Sequence, residues 1–207
     1  MYVPPAFKTD DAAAWAFVAQ RGFGTVIAVV EETPVAVHAP LLTTQDGDKR
    51  RLEFHVARAN PIGALLSKAS RILVIVAGPD SYVSPDWYVT PHQVPTWNYV
   101  SVHLTGTATA LTRARAREHI DTLSARFENR LAPKQPWTTA KMPANQVEKM
   151  LAAIIPIEIS VERVEAQWKL NQNKSRSDRT SVVRMLASSG HWSSLAVADM
   201  MMDMLNG

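Results

Sequence analysis

The stretch from Ser84 to Gly106 has the chemistry of a wall for a flat ligand. It contains two Trp, two Tyr, two His and three Pro. Because proline disfavours helix and removes backbone donors, we expect a stiff, extended loop that carries aromatic rings. From Tyr99 onward, apolar and polar residues alternate, which predicts a strand with one polar face. Such a wall suits a binding pocket, but a well-packed loop over a sheet explains the same residues.

A second segment, the arginine turn (residues 55–61), has the residues of a phosphate-binding turn. A predicted strand ends there, Asn60 lies at the N-cap position, and Pro61 suits the first helical position. Backbone N–H groups at a helix start attract anions, and the planar guanidinium of Arg58 can bind phosphate. The residues alone favour the plainer interpretation, a capped helix beside an unrelated surface arginine.

A third segment, the amide turn (residues 169–174), is dense in hydrogen-bond donors. Its sequence K-L-N-Q-N-K contains three amides and two ammonium groups. Those donors suit the carbonyl and nitrogen edges of a heterocycle, or a phosphate. The following residues, Ser175 to Asp178, resemble a capping box. The alternative is a solvated loop, and the residues of this segment alone favour that interpretation.

The histidines give no metal-binding or catalytic pattern. His38, His55 and His103 lie on predicted strands, where a lone histidine is usually structural. We expect no metal site, because the sequence has neither H-E-x-x-H nor a tight His/Asp cluster. It also lacks G-x-S-x-G, the P-loop and G-x-G-x-x-G, so the obvious hydrolase, P-loop and Rossmann interpretations are excluded. No catalytic residue can be named.

Composition is typical of a globular protein. Hydrophobic residues make up 46% and charged residues 20% of the 207 residues. Apolar runs stay shorter than the roughly 18 residues of a membrane span, and no signal peptide is recognisable. The absence of Cys excludes disulfides and suggests a cytoplasmic protein. The net charge of +3 permits an anionic ligand but does not indicate nucleic acid.

The periodicity predicts an α+β chain that is mainly β. Helices are expected from the cap at Thr9–Asp11 to Gln20, from Pro61 to Ser67, after Thr112, and from Ala144 to Leu151. Six strands are expected, about Gly24 to Val30, Val35 to Leu42, Arg51 to Val56, Arg71 to Ala77, Tyr99 to Leu111 and Ile154 to Glu165. Residues 43–50 are predicted to be an exposed loop. This pattern predicts an antiparallel sheet that closes as a barrel, in a single domain over residues 1–207.

Two helices are predicted to end the chain, within a helical extension over residues 175–207. Gly190 lies near their joint, as in a helix-turn-helix. From His191 onward there is no Lys or Arg, whereas Asp199 and Asp203 are present. A recognition helix facing phosphates would be penalised by that charge, so the pattern argues against direct DNA binding.

Six segments carry a further signal through their order and spacing. They are M-Y-V-P-P-A-F, P-V-A-V-H-A-P-L-L, H-V-A-R-A-N-P, G-P-D-S-Y-V-S-P-D-W-Y, V-P-T-W-N-Y-V-S-V-H-L-T-G and K-L-N-Q-N-K-S-x-x-D-R. Together they resemble the PaiB-type FMN-binding transcriptional regulators. The resemblance runs from Met1 to about Arg184. It implies similarity to the pyridoxamine-phosphate oxidase group, hence a six-stranded antiparallel split β-barrel with peripheral helices, a homodimer, and FMN at the subunit interface.

The resemblance also implies a set of FMN contacts. Arg58 and the helix start at Asn60 are expected at the ribityl phosphate, and His38 and His55 beside the flavin. The ring system is expected to meet Thr96, Trp97, Asn98 and Tyr99. The partner subunit is expected to supply Lys169, Asn171, Gln172 and Asn173.

Three functions follow as hypotheses. The family label implies a negative regulator of transcription that binds FMN. The second hypothesis is a flavin-dependent oxidoreductase that acts on a small molecule with NAD(P)H, since bound flavin brings hydride chemistry. The third is haem binding or degradation, for which six His leave an axial ligand open.

Overall fold

A computed structural model describes residues 1–65 and 69–206. In these ranges the chain forms six α-helices: α1 (Asp11–Arg21), α2 (Pro61–Leu65), α3 (Arg113–Glu128), α4 (Ala144–Ala152), α5 (Arg176–Ser188) and α6 (Trp192–Asn206). The strands are β1 (Phe23–Val30), β2 (Thr33–Pro40), β3 (Leu42–Asp46), β4 (Lys49–Ala57), β5 (Ser70–Val83), β6 (Thr96–Ala110) and β7 (Ile154–Lys169). The predicted α+β class is confirmed. The predicted end of α2 at Ser67 lies outside the described residues.

The predicted strand count was wrong by one. Residues 43–50, expected as an exposed loop, form β3 and the start of β4, which pair from Leu42↔Glu53 to Asp46↔Lys49. Gly47 has φ +56° and allows the tight turn between them. The polar run of β3 hides its period because most of its side chains are exposed and only Leu42 is buried.

The seven strands form one sheet in the order β2-β1-β5-β6-β7-β4-β3. The pairs β1–β2, β1–β5, β3–β4 and β4–β7 are antiparallel. The predicted hairpin of β1 and β2 is confirmed, and its two turn residues, Glu31 and Glu32, have φ of 48° and 65°. Positive φ at both turn positions matches the right-handed twist of the flanking strands.

By contacts, the chain divides into two compact units. The first unit comprises residues 16–75 and 104–164. It contains β1 to β4, parts of β5 to β7, and α2 to α4. Its core includes the fully buried Leu52, Phe54 and Ile157. At Gly106 a Cβ atom would lie 2.1 Å from the Ser160 carbonyl oxygen, so only glycine permits this close backbone approach.

The second unit comprises residues 1–15, 76–103 and 165–207. It contains the remaining parts of β5, β6 and β7 together with α5 and α6. The two helices pack on each other and bury Val182, Leu186, Val197 and Met201. The predicted C-terminal helix pair is therefore confirmed. That residues 1–207 form a single domain stays a prediction.

Among the described residues, no helix is long and apolar enough to cross a membrane.

Candidate functional site

The arginine turn begins α2 as its sequence predicts. The Asn60 side-chain oxygen accepts a hydrogen bond from the backbone N–H of Ile62 at 3.0 Å. The backbone carbonyl of Asn60 accepts one from Gly63 at 2.9 Å. Pro61 is the first residue of the helix. The predicted N-cap is confirmed. The Asn60 side-chain oxygen is therefore occupied by a hydrogen bond within the helix start.

Arg58 is held by the junction of α4 and β7. Its Nε donates to the Ala152 carbonyl at 2.9 Å and its Nη2 to the Ile154 carbonyl at 3.2 Å. A guanidinium has five N–H donors, so these two bonds orient the group and leave three for a ligand. The side chain is exposed, which keeps those donors accessible.

Arg58 lies on a groove of about 390 Å³, the arginine groove. Its walls include Gly63 and Ala64 of α2, Leu111, Pro156 and a second arginine, Arg113, at the start of α3. Two guanidinium groups on one groove make it a candidate anion site. The sequence analysis missed Arg113, although its position just after the Thr112 cap could have indicated it.

His38 lies on an exposed part of β2. Its Nδ1 is 3.0 Å from the Thr25 hydroxyl oxygen, and the two residues face each other across the β1–β2 pair. The strand histidine is thus a cross-strand partner, and its expected contact with FMN stays a prediction.

His55 belongs to a partly buried chain of polar groups that we call the Glu53 network. Its members are Arg115, Glu53, His119 and His55. The Arg115 Nη2 donates to Glu53 Oε1 at 2.9 Å, and His119 Nδ1 lies 3.2 Å from Glu53 Oε2. His119 Nε2 lies 3.1 Å from His55 Nδ1. The strand alternation of β4 puts Glu53 and His55 on one face, and α3 supplies the other two residues.

Burial shapes the protonation of this network. Desolvation first, and then the neighbouring His119, lower the pKa of His55 from 6.5 to about 4. Burial also lowers the pKa of His119, although Glu53 opposes the shift. Both rings are therefore neutral at pH 7. His119 was not predicted as a site residue, because only the fold brings α3 against His55 of β4.

In the second unit, Lys169, which the resemblance assigned to the partner subunit, contacts two of the predicted ring contacts of its own chain. Lys169 Nζ donates to the Thr96 hydroxyl at 2.8 Å and lies 6.0 Å from the centre of the Tyr99 ring. Trp97 is 54% exposed and stands edge-on to Tyr82, with ring centres 6.1 Å apart. The exposed indole of Trp97 on β6 is a suitable wall for a planar ligand.

Asn98 is turned the other way. It is fully buried, its amide nitrogen lies 3.3 Å from the Met201 sulfur, and its Oδ1 has no hydrogen-bond partner in the part of the chain that the structure describes. The alternation of β6 explains the difference, because Asn98 shares the inward face with Val100.

The amide turn uses most of its donors to fold itself. Asn171, with φ 61°, donates its amide to the Tyr88 hydroxyl at 3.0 Å. Gln172 accepts from the Leu170 N–H at 2.7 Å and donates to the Trp168 carbonyl. Lys174 donates to the Gln93 amide oxygen at 2.6 Å. Asn173 is exposed.

A further acidic residue fixes the loop that carries the aromatic rings. Asp178 accepts hydrogen bonds from the backbone N–H groups of Val89 and Thr90, at 2.9 and 2.8 Å, and from the Thr90 hydroxyl at 2.9 Å. These bonds and that of Ser175 hold the pKa of Asp178 below its ordinary value of 3.8. The sequence analysis noted Asp178 only as part of a capping box.

Among the described residues, no group of three or more His, Cys, Asp or Glu side chains is arranged to hold a metal ion.

Comparisons with known proteins identify a family and a similar bacterial protein. The family described as "Putative FMN-binding domain" matches residues 1–163. A protein of Bacillus subtilis (strain 168) named "Protease synthase and sporulation protein PAI 2" is 31% identical over 206 residues, which cover 99% of this chain and 98% of that protein.

Two solved structures share the fold. The FAD and heme binding protein from Mycobacterium smegmatis has a TM-score of 0.58 at 19% identity, covering 89% of this chain and 80% of its own. The flavocytochrome Anf3 from Azotobacter vinelandii has a TM-score of 0.54 at 18% identity, covering 77% and 67%. At these identities the likeness concerns the fold alone.

Proposed function

The chain belongs to the family of putative FMN-binding domains, and we propose that it is a regulatory FMN-binding protein whose arginine groove receives the flavin phosphate. FMN is the cofactor of this family, and the predicted resemblance is confirmed. The observation that carries the proposal is the pairing of Arg58 and Arg113 on one groove. The split-barrel form of the sheet and the homodimer are part of the same proposal.

The residues of the arginine groove fit the phosphate end of FMN. The groove volume of about 390 Å³ lies within the range of roughly 300–1,000 Å³ that ligand pockets have. Arg58 is fixed by the Ala152 and Ile154 carbonyls, so little rotamer entropy remains to be lost when it binds an anion. Arg113 adds a second positive charge, and phosphate accepts bidentate bonds from such groups.

For the flavin ring we propose the contacts that the family resemblance implies, Thr96, Trp97 and Tyr99, with Lys169 supplied by the partner subunit. Among them, Trp97 offers an exposed indole. When bound, FMN supplies hydride and electron transfer. The residues of this chain bind and orient it, and none of them is assigned as a proton donor to a substrate.

Regulation is supported by the B. subtilis relative, which is named a protease synthase and sporulation protein and which aligns with nearly the whole chain. We propose that this chain lowers the expression of target genes. Asp199 and Asp203 on α6 are exposed, and neither α6 nor its preceding turn carries Lys or Arg. Repulsion from DNA phosphates argues that regulation proceeds through a partner protein.

The test is the absorption spectrum of the purified protein during titration with FMN, followed by anaerobic NADPH. We expect a bound flavin band that saturates at one FMN per chain and persists after NADPH. Bleaching of the band would contradict a purely regulatory role and favour the oxidoreductase. Absence of flavin binding would contradict the proposal, and haemin would then be titrated to test for a Soret band.

A further inference from the structure

The hydrogen-bond order of the Glu53 network fixes the tautomer of His55. The Glu53 carboxylate can only accept, so His119 Nδ1 must carry the proton between them (3.2 Å). Neutral His119 then presents a lone pair at Nε2, and His55 Nδ1 donates to it across 3.1 Å. His55 Nε2 is therefore left as an acceptor. The lowered pKa of both rings agrees with this neutral arrangement.

His55 also lines a separate apolar cavity, the His55 cavity, of about 150 Å³. The other walls come from α3, the segment that follows it, α4 and β7, and they include Ile120, Trp137, Met142, Val147 and Leu151. Thr139 is the second polar lining residue, and its hydroxyl donates to Asp121 at 2.7 Å. The His55 ring thus offers an acceptor nitrogen within a mostly apolar wall.

The size and the walls define the ligand class. An apolar cavity of roughly 150 Å³ accommodates a benzene-sized molecule. FMN requires a much larger pocket. The His55 cavity is therefore too small for FMN and must hold a smaller ligand than the arginine groove. Trp137 and Met142 offer aromatic and sulfur contacts to a ring.

We propose that the His55 cavity binds a small monocyclic phenol, with the ring among the apolar side chains and the hydroxyl donating to His55 Nε2. The Glu53 network is a positioning device in this site. Arg115 and His119 hold Glu53, Glu53 holds the His119 tautomer, and His119 occupies Nδ1 of His55, which leaves Nε2 as the acceptor for the ligand.

The first test compares phenol with toluene, which has nearly the same shape but no hydroxyl. Both are titrated into the full chain while the indole N–H signal of Trp137 is followed by NMR. We expect phenol to bind about tenfold more tightly, the effect of one hydrogen bond to an otherwise dry acceptor. Equal affinities, or no binding of either molecule, would overturn the proposal.

Three variants test whether the preference for phenol arises at His55. His55→Phe should remove the preference for phenol, whereas His191→Phe, at an exposed histidine of the second unit, should retain it. Val147→Phe should fill the cavity and abolish binding of both molecules. A phenol preference that survives His55→Phe would overturn the assignment. If His55→Phe does not fold, the comparison of the two ligands in the unmodified chain still decides.

A competition experiment separates this site from the flavin site. Saturation with FMN should leave the phenol affinity unchanged. If FMN displaces phenol, the cavity is part of the flavin site and the proposal of a second ligand is wrong.

Discussion

The arginine turn and the amide turn look alike in the sequence but differ in how the fold uses their donors. In the arginine turn, Arg58 donates two of its N–H groups to backbone carbonyls and is exposed, which leaves three N–H groups for a ligand. In the amide turn, Asn171 and Gln172 spend their amides on Tyr88 and on neighbouring backbone. A donor-rich segment is therefore a ligand site only to the extent that folding leaves its donors unused.

The largest effect is expected from the arginine turn. Arg58→Ala and Arg113→Ala should each weaken FMN binding by about 1.5–3 kcal/mol, roughly 10- to 150-fold, because each removes a charge-assisted bond to phosphate. Riboflavin, which lacks the phosphate, should bind both variants as it binds the unmodified protein. Affinities are measured by fluorescence quenching of the flavin.

The matched control for Arg113 lies one turn further along α3. Arg117 pairs with Glu148 at 2.7 Å on the surface, and exposed pairs of this kind contribute little to stability. Arg117→Ala should retain FMN affinity. If Arg58→Ala and Arg113→Ala reduced riboflavin and FMN affinity equally, the two arginines would not contact the phosphate, and the contrast between the turns would fail.

The amide turn should respond in stability instead of affinity. Asn171 is buried, has positive φ and donates to Tyr88, so Asn171→Ala should cost about 2 kcal/mol of unfolding free energy. Asn173→Ala, two residues away and exposed, should change it by less than about 0.5 kcal/mol. Urea unfolding gives both values.

A third variant separates the contribution of the Asn171 amide from that of its left-handed backbone. Asn171→Gly keeps the left-handed backbone accessible and removes only the amide, so it should fall between Asn171→Ala and the unmodified chain. If Asn171→Ala unfolds at the same urea concentration as the unmodified protein, the amide is not holding the turn and is available to a ligand.

His55, the first residue of the arginine turn, also uses its hydrogen-bonding groups within the fold. Its ring is hydrogen-bonded in the Glu53 network. Its folded pKa of about 4 lies below the ordinary 6.5, so the unfolded chain binds more protons between these values. Stability should fall by about 1–2 kcal/mol as the pH drops through that window, a figure reduced for partial solvent screening. His55→Gln should flatten this dependence in urea unfolding followed from pH 7 to pH 4. An unchanged slope would contradict a neutral, buried ring.

Local patterns predicted most of the fold. Alternation found six strands, and the Asn60 cap, the helix pair and the inward face of β6 were all recognisable because each depends on neighbouring residues. The strand β3 was missed because its side chains are mostly exposed and polar, which leaves no apolar period to detect.

The candidate site was less predictable, since its geometry depends on residues far apart in the chain. Arg58 was recognised from its turn, but its fixation by the Ala152 and Ile154 carbonyls depends on where α4 ends. His119 joins His55 from a helix 64 residues later. The inward turn of Asn98 follows from the strand alternation, whereas the resemblance treated positions 96–99 as one wall.

The smallest expected effect is a loss of stability at acidic pH. Asp178 attaches the aromatic loop to α5, and its pKa lies below 3.8 because Val89, Thr90 and Ser175 donate to its carboxylate. This contribution to stability is complete above the unfolded pKa and is lost as the pH falls through the folded one. Between about pH 5 and pH 3 the unmodified chain should therefore lose more stability than Asp178→Asn, whose amide does not titrate. Thermal unfolding across that range measures the difference. Parallel curves would show that the carboxylate does not hold the loop, and the aromatic wall would then need another support.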